Sequence, residues 1–205
     1  MFTKVKKLLS LLKHQRCIRA WISTQLSILE NDADFSLGGL NDEEEKALIE
    51  LFHRDCTDRK GPIIEFGTLF GVTTLLLASL KKDERKIITV DNFCWNPFGL
   101  KPEQHRAFTS KFLRYGISTG DIELVVQDSA TFRKNYIGSI PSLVFLDADH
   151  SYTAVRDEIT WAKQLGVRVI AGHDYNNQKF DVTRAVDEAF PQNVQIRGRI
   201  WWHTM

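Results

Sequence analysis

The sequence predicts a doubly wound α/β fold with a mostly parallel sheet of seven strands. Five short runs are continuously apolar, which is typical of strands covered on both faces, and helical patterns separate them. The last segment, residues 192–205, instead has the pattern of an antiparallel hairpin that turns near Gly198. The five runs cover residues 62–66, 86–91, 122–126, 142–149 and 167–174.

The composition agrees with one globular domain. The chain has 205 residues, of which 43% are hydrophobic and 26% charged. Its 27 basic and 26 acidic residues give no global basic field, so we expect no nucleic-acid partner. The three cysteines have no zinc-binding spacing, which favours a reducing, cytoplasmic location. No run of 18 apolar residues is present, so we expect no transmembrane segment.

The chain divides into an N-terminal helical extension with its linker, residues 1–40, and an α/β domain, residues 41–205. Residues 1–29 hold six Lys or Arg and no Asp or Glu, and their apolar residues fit one helical face. We interpret this segment as a helix that docks on the domain or on a second subunit, as in a homodimer. A membrane-surface helix and an organellar targeting peptide are the alternatives.

Two helices have clear boundaries in the sequence. Asn41 is a good N-cap for the first, and Glu44 stands three residues later as its capping-box partner. The second follows the fourth strand and ends at Gly166. Its apolar stripe, spaced as one face of a helix, consists of Val155, Ile159, Ala162 and Leu165.

Polar residues concentrate where the predicted strands end. Because the carboxyl ends of parallel strands meet at one edge of a sheet, we expect these groups to converge on one crevice. Asp149 and His150 are the candidate proton acceptors among them, Asp149 first because it lies two residues after Asp147 in an extended chain. The strand-end groups are Glu65, Asp91, Asp128, Asp147, Asp149, His150, His173 and Asp174.

The turn after the first strand holds a glycine pair, Gly67 and Gly71, and a carboxylate, Glu65, just before it. A dinucleotide site would have the spacing GxGxxG, and a carboxylate there would repel a pyrophosphate. The pattern favours a ligand with an ammonium or sulfonium group, such as S-adenosylmethionine. Asp91, at the end of the second strand, suits ribose hydroxyls. The alternatives are tight strand–helix packing for the glycines and a solvated strand end for Asp91.

In order along the chain, several motifs resemble the class I S-adenosylmethionine-dependent methyltransferases, and most of all the small metal-dependent O-methyltransferases and their natural-product and sugar-modifying relatives. The motifs are IIEFGTLFGVTTLLLA, ITVDNF, VVQDSA, LVFLDADHSYTAVRDEITWAKQLG and VIAGHDY. The resemblance covers residues 41–205 and implies the Rossmann-like methyltransferase fold. It also implies these cofactor-binding residues: Glu65, Gly67, Thr68, Gly71 and Thr73 at the methionine end, Asp91 and Asn92 at the ribose, Asp128 and Ser129 at the adenine, and Asp147.

The resemblance further implies that Asp147 and Asp174 bind a divalent metal such as Mg²⁺ or Mn²⁺. The family's usual third ligand has no direct counterpart, and the candidates here are His173 and Asn176. The alternatives are that the histidines, His150 included, only form hydrogen bonds, and that Asp147 contacts the cofactor without a metal.

These observations predict a metal-assisted O-methyltransferase that acts on a small hydroxylated molecule or a sugar. A non-catalytic cofactor-binding module of the same fold is the second hypothesis, and an NAD-dependent oxidoreductase is disfavoured by the spacing around Gly67. Residues 92–105 contain Pro97, Gly99 and Pro102 and are expected to form a loop beside the acceptor. On the helix after the fourth strand, Asp157 resembles an acidic position of the family.

Overall fold

A computed structural model of the chain describes residues 40–56, 60–81, 84–95 and 100–205. The predicted basic helix within residues 1–29, its dimer contact and the linker as far as residue 39 lie outside these ranges. No helix within them is both long and apolar enough to cross a membrane.

Seven strands form one sheet in the order β3-β2-β1-β4-β5-β7-β6. Neighbours from β3 to β5 pair in parallel, whereas β7 pairs antiparallel with both β5 and β6. The predicted fold class and terminal hairpin are therefore confirmed. The strands are β1 (Ile63–Phe66), β2 (Ile87–Asp91), β3 (Ile122–Val126), β4 (Leu143–Leu146), β5 (Val169–Gly172), β6 (Gln195–Arg197) and β7 (Ile200–Thr204).

Helices cover both faces of the sheet, and each face has its own apolar core. The first four helices pack on one face around a core that includes Trp202, and the other three pack on the opposite face around a core that includes Trp201. The helices are α1 (Asp42–Arg54), α2 (Val72–Leu80), α3 (Pro102–Phe112), α4 (Arg114–Thr119), α5 (Ser129–Asn135), α6 (Tyr152–Gln164) and α7 (Val182–Ala189).

The first helix begins where the sequence predicts. Oδ1 of Asn41 accepts hydrogen bonds from the N–H groups of Glu43 and Glu44, at 3.0 and 3.1 Å. In return, the N–H of Asn41 donates to Oε2 of Glu44 at 2.9 Å. Both halves of the capping box are thus present, and they fix the Glu44 side chain as well as the start of α1.

The predicted loop of residues 92–105 is shorter than expected. Helix α3 begins at Pro102, because proline lacks the N–H that the first turn of a helix leaves unpaired and its fixed φ suits that turn. His105 therefore lies on a helix and is buried. The proline that we interpreted as a breaker starts a helix instead.

The order of the strands reverses between β1 and β4, which are neighbours in the sheet. In sheets of this kind the ligand crevice lies beyond the carboxyl ends of the strands at that point. The residues that follow β1 and β4 are Gly67 and Asp147, so the candidate site is built around them.

Candidate active site

The glycine turn after β1 packs against the end of β4. Gly67 has a φ of +93°, and a Cβ atom on it would lie 2.0 Å from the carbonyl oxygen of Asp147. Gly71 has a φ of +86°, and its Cβ would meet the Leu113 side chain at 2.7 Å. Both positions need glycine for close packing. Tight packing, which was the alternative to ligand binding for these two glycines, is therefore part of their role.

Asp91 binds the glycine turn through its side chain. Oδ2 accepts hydrogen bonds from the N–H groups of Thr68 at 2.9 Å and Leu69 at 2.8 Å. Oδ1 accepts from the N–H of Phe93 at 2.7 Å. Asp91 is thus not a solvated strand end: it joins the ends of β1 and β2 and keeps a carboxylate at the mouth of the crevice.

Leu69, within the same turn, has a φ of +47°, and helix α3 holds its carbonyl oxygen. The Thr109 hydroxyl donates to this oxygen at 2.6 Å, and Nε2 of His105 lies 3.0 Å from it. His105 packs between the rings of Phe70 and Phe93. Neither His105 nor Thr109 is among the predicted site residues. Once Pro102 is taken as a helix start, their i, i+4 spacing is the signal that could have identified them.

Glu65 departs from the expectation of an exposed negative charge. Its side chain is fully buried, and Oε2 accepts a 2.5 Å hydrogen bond from the Thr74 hydroxyl. Burial, reinforced by the charges of Asp147 and Asp91, outweighs the hydroxyls of Thr74 and Thr89 and raises the pKa of Glu65 to about 8. Glu65 is therefore mostly neutral at pH 7, and the negative charge facing the crevice has to come from other carboxylates.

The other predicted cofactor residues have structural roles of their own. Thr68 and Thr73 are buried, and the Thr68 hydroxyl lies 2.6 Å from that of Thr89. Asn92 accepts a hydrogen bond from the N–H of Cys94. Asp128 is exposed and caps α5, where the N–H and hydroxyl of Thr131 keep the pKa of its carboxyl below the usual range. Ser129 is the first residue of that helix.

Across the crevice, Asp147, His173 and Asp174 form a cluster. One donor atom from each lies within 4.8 Å of the other two. Nδ1 of His173 is 3.5 Å from Oδ1 of Asp147 and 3.9 Å from Oδ2 of Asp174. Of the two candidate third ligands, the structure brings His173 into the cluster, whereas the N–H of Asn176 binds the Thr183 hydroxyl. These three residues are called the carboxylate–histidine cluster below.

A third carboxylate, Glu44 of α1, meets the far side of the His173 ring, with Oε1 3.2 Å from Nε2. Burial of the ring opposes protonation, but the close approach of Asp147 and the charges of Asp147, Asp174 and Glu44 outweigh it and raise the pKa of His173 to about 9. The sequence showed Glu44 as a capping residue only, because its contact with His173 spans two distant segments.

His150 and Asp149, the two candidate proton acceptors, differ in their surroundings. Nε2 of His150 is 3.4 Å from Oδ2 of Asp174, and its ring packs on Phe180. Asp149 is exposed, and its Oδ1 accepts a hydrogen bond from the N–H of Ser151. The sequence favours Asp149, but the structure brings His150 to the cluster because the chain bends after β4 instead of continuing as an extended strand.

The buried acidic residue of α6 is Glu158, not Asp157. Asp157 is partly exposed and pairs with Arg156, whereas Glu158 faces a narrow pocket that it shares with Asp149 and His150. Burial raises the pKa of Glu158 to about 7, opposed by the nearby Ser129 hydroxyl and Arg133. Its position three residues after Val155, on the apolar stripe, is the signal that could have found it.

Comparisons with known proteins agree with this architecture. A family model described as a methyltransferase domain matches residues 64–175. Comparison with curated proteins gave no significant match.

Several solved structures share the fold. Cofactor-bound Rv0187 from MTB is 17% identical, with a TM-score of 0.61, over 89% of this chain and 88% of that one. CalS11, a TDP-rhamnose 3'-O-methyltransferase of calicheamicin biosynthesis, is 16% identical, with a TM-score of 0.61, over 90% and 93%. The O-methyltransferase TomG from Streptomyces achromogenes, in complex with SAM, is 15% identical, with a TM-score of 0.60, over 87% and 85%.

The strand order, the glycine turn and the carboxylate at the end of β2 define a class I, S-adenosylmethionine-dependent methyltransferase. The family match covers more than half of the sequence, so the chain belongs to the methyltransferase domain family.

Proposed function

We propose that this protein is a metal-assisted O-methyltransferase that acts on a small hydroxylated molecule, with a sugar as one candidate class. The carboxylate–histidine cluster carries the proposal, since it lies at the end of β4, against which the glycine turn packs. Two structural neighbours, CalS11 and TomG, are O-methyltransferases, and the first is a TDP-rhamnose 3'-O-methyltransferase.

In this proposal the cofactor spans the crevice between the ends of β1, β2 and β3. Gly67 and Gly71, with Thr68 and Thr73, receive its methionine part, and Glu65 supports the turn from beneath as a neutral acid. The ribose lies at Asp91 and Asn92, and the adenine lies beside Asp128 and Ser129. Support comes from Asp91, whose three N–H partners hold it at the crevice without a ligand.

The donor set of the cluster fits a divalent cation. Two carboxylates and an imidazole provide three donor atoms within 4.8 Å of one another, and hard oxygen ligands suit Mg²⁺ or Mn²⁺. When bound, such a cation would supply Lewis-acid chemistry, making an acceptor hydroxyl more acidic. Asp147 and Asp174 would hold it, with His173 as the third ligand.

His150 is the proposed proton acceptor. Methyl transfer forms an oxygen–carbon bond, breaks the sulfonium–carbon bond, and leaves the acceptor's hydroxyl proton to be taken up by a base. Nε2 of His150 lies 3.4 Å from Oδ2 of Asp174, so the imidazole is placed beside the cluster where the acceptor would bind. Asp149 lacks such a contact with the cluster among the described residues.

The test uses purified full-length protein with S-adenosylmethionine and a panel of catechols, nucleotide sugars and glycosides, with mass spectrometry to detect methylated products. We expect activity that EDTA abolishes and Mn²⁺ or Mg²⁺ restores. His150→Gln should lower kcat about 10²- to 10⁴-fold with unchanged affinity for S-adenosylhomocysteine. Asp149→Asn is the matched control and should retain nearly full activity. Activity that resists both EDTA and His150→Gln would contradict the proposed mechanism.

A further inference from the structure

We propose that Glu44 is a positioning residue that makes His173 a nitrogen ligand of the metal centre, so that the site prefers a first-row transition ion such as Mn²⁺ over Mg²⁺. This inference rests on the proposed function, because it assumes that a cation binds between Asp147 and Asp174. It concerns two residues, one on α1 and one after β5, that are 129 positions apart in the sequence.

The capping box fixes the orientation of Glu44. Oε2 accepts a hydrogen bond from the N–H of Asn41 at 2.9 Å, and this bond closes the capping box. The other oxygen, Oε1, is then directed at Nε2 of His173, 3.2 Å away. The Glu44 side chain is 5% exposed, so both oxygens are held by the protein and largely shielded from water.

The turn between β6 and β7 closes the opposite side of Glu44. Gly198 lies so near that a Cβ atom on it would be 3.0 Å from Cγ of Glu44. The adjacent Arg197 binds Oε2 of Glu43 at 3.1 Å and Oε2 of Glu50 at 3.4 Å, which joins the hairpin to α1. Glu44 is therefore enclosed between the helix, the hairpin and the His173 ring, and has little freedom to turn away.

The contact with Glu44 decides which nitrogen of His173 is available to a metal. Nε2 faces the Glu44 carboxylate in an ion-pair contact rather than a hydrogen bond, and Nδ1 faces Asp147 and Asp174. A cation that displaces the Nδ1 proton would therefore leave the remaining proton on Nε2 beside a carboxylate, an arrangement common for histidines that bind metals. Nδ1 is 3.5 and 3.9 Å from the nearest oxygens of Asp147 and Asp174. These separations leave room for one ion between the three donor atoms, which would draw closer together around it.

Nitrogen ligation has a consequence for the choice of metal. Mg²⁺ prefers oxygen ligands and keeps several waters, whereas an imidazole in the donor set favours transition ions. A site with Asp147, Asp174 and Nδ1 of His173 should therefore bind Mn²⁺ more tightly than Mg²⁺.

The experiment measures binding of Mn²⁺ alone to the full-length protein by calorimetry, and nitrogen coupling to the bound ion by pulsed electron paramagnetic resonance. We expect Mn²⁺ to bind at least tenfold more tightly than Mg²⁺ and to show the coupling of a directly bound imidazole. His173→Asn should remove the coupling. Glu44→Gln, which keeps a capping-box side chain, should weaken Mn²⁺ binding about 10- to 100-fold.

Glu45→Gln is the matched control: it removes a neighbouring, exposed carboxylate of the same helix and should leave Mn²⁺ affinity unchanged. Affinity for S-adenosylhomocysteine, measured for every variant, shows whether each one is folded. Mn²⁺ binding without nitrogen coupling, or unchanged by Glu44→Gln, overturns this inference but leaves the proposed function intact. A folded protein that binds S-adenosylhomocysteine but no divalent ion overturns both the inference and the metal-assisted mechanism.

Discussion

Two groups of acidic residues face the same crevice, and they differ in what neutralises them. On the β1–β2 side, Asp91 accepts three backbone hydrogen bonds and Glu65 is buried and largely protonated. On the β4–β5 side, Asp147 and Asp174 lie at 3.5 and 3.9 Å from the ring of His173. The first side is thus assembled by the chain itself, whereas the second concentrates negative charge that a bound cation would balance.

The largest expected effect is that of Gly67→Ala, because Gly67 joins the two sides. Its added methyl group would lie 2.0 Å from the carbonyl oxygen of Asp147, in a backbone conformation that already disfavours alanine. We expect a loss of more than about 3 kcal/mol in unfolding free energy, measured by urea denaturation. Gly166→Ala is the control: it has a φ of +77° but no heavy atom of the described residues within 4 Å, and should lose about 1–2 kcal/mol. Equal losses would contradict the proposed contact.

Asp91→Asn should have the next largest effect. The NH₂ group of the new amide would face a backbone N–H that now donates to the Asp91 carboxylate, and neither group can accept a hydrogen bond. We therefore expect a loss of about 2–3 kcal/mol in stability and at least tenfold weaker binding of S-adenosylhomocysteine. Urea denaturation and calorimetry measure the two quantities. Glu123→Gln is the control: it removes the exposed ion pair that Glu123 of β3 forms with Lys86, and it should change stability by less than about 0.5 kcal/mol. If the two variants behave alike, Asp91 does not hold the glycine turn.

Glu65→Gln tests the charge state of the buried acid. With a pKa raised from 4.5 to about 8, Glu65 binds its proton more tightly in the folded state, so its contribution to stability is full below pH 4.5 and is lost as pH rises through 8. The Glu65→Gln variant has no titrating group at this position, so its stability does not fall with pH in this way. The unfolding free energy of Glu65→Gln relative to wild type should therefore rise by a few kcal/mol between pH 5 and pH 8. Urea denaturation at several pH values measures it, and parallel profiles would show that Glu65 is ionised throughout.

Thr109→Val should have the smallest effect of the four. It removes the hydroxyl that donates to the Leu69 carbonyl oxygen, while His105 remains beside that oxygen. We expect a loss of about 1 kcal/mol in stability and a few-fold weaker binding of S-adenosylhomocysteine, both measured as for Asp91→Asn. Ser118→Ala, which removes an exposed hydroxyl on α4, serves as the control. An effect larger than that of Asp91→Asn would mean that α3, rather than β2, chiefly holds the turn.

The sheet could be predicted because its signals are local. Each central strand is a short apolar run, and the capping box at Asn41 lies within four residues. Two further features follow from which face of a helix a residue lies on, and they could also have been predicted. Glu158 is buried while Asp157 is partly exposed. His105 and Thr109, one turn apart, reach the same carbonyl oxygen.

Other features of the site depend on contacts between distant segments. The neutral state of Glu65 follows from burial by both neighbouring strands, since it pairs with Thr89 on β2 and Phe145 on β4. The approach of Glu44 to His173 requires α1 to pack beside the end of β5. The residue type shows that a carboxyl group is present, but its protonation state and the side chain that it contacts depend on the folded structure.

The adjacent tryptophans of β7, Trp201 and Trp202, are fluorescent probes of the two cores. Trp201 lies in the core beneath α5, α6 and α7, and Trp202 lies in the opposite one, where its indole N–H donates to Asp55. Replacing Trp202 by phenylalanine would remove the described tryptophan of its core, whereas the opposite core loses both of its described tryptophans only when Trp161 of α6 is replaced together with Trp201. Comparing the unfolding kinetics that the two kinds of variant report by fluorescence would show whether the two sides of the sheet unfold together or one after the other.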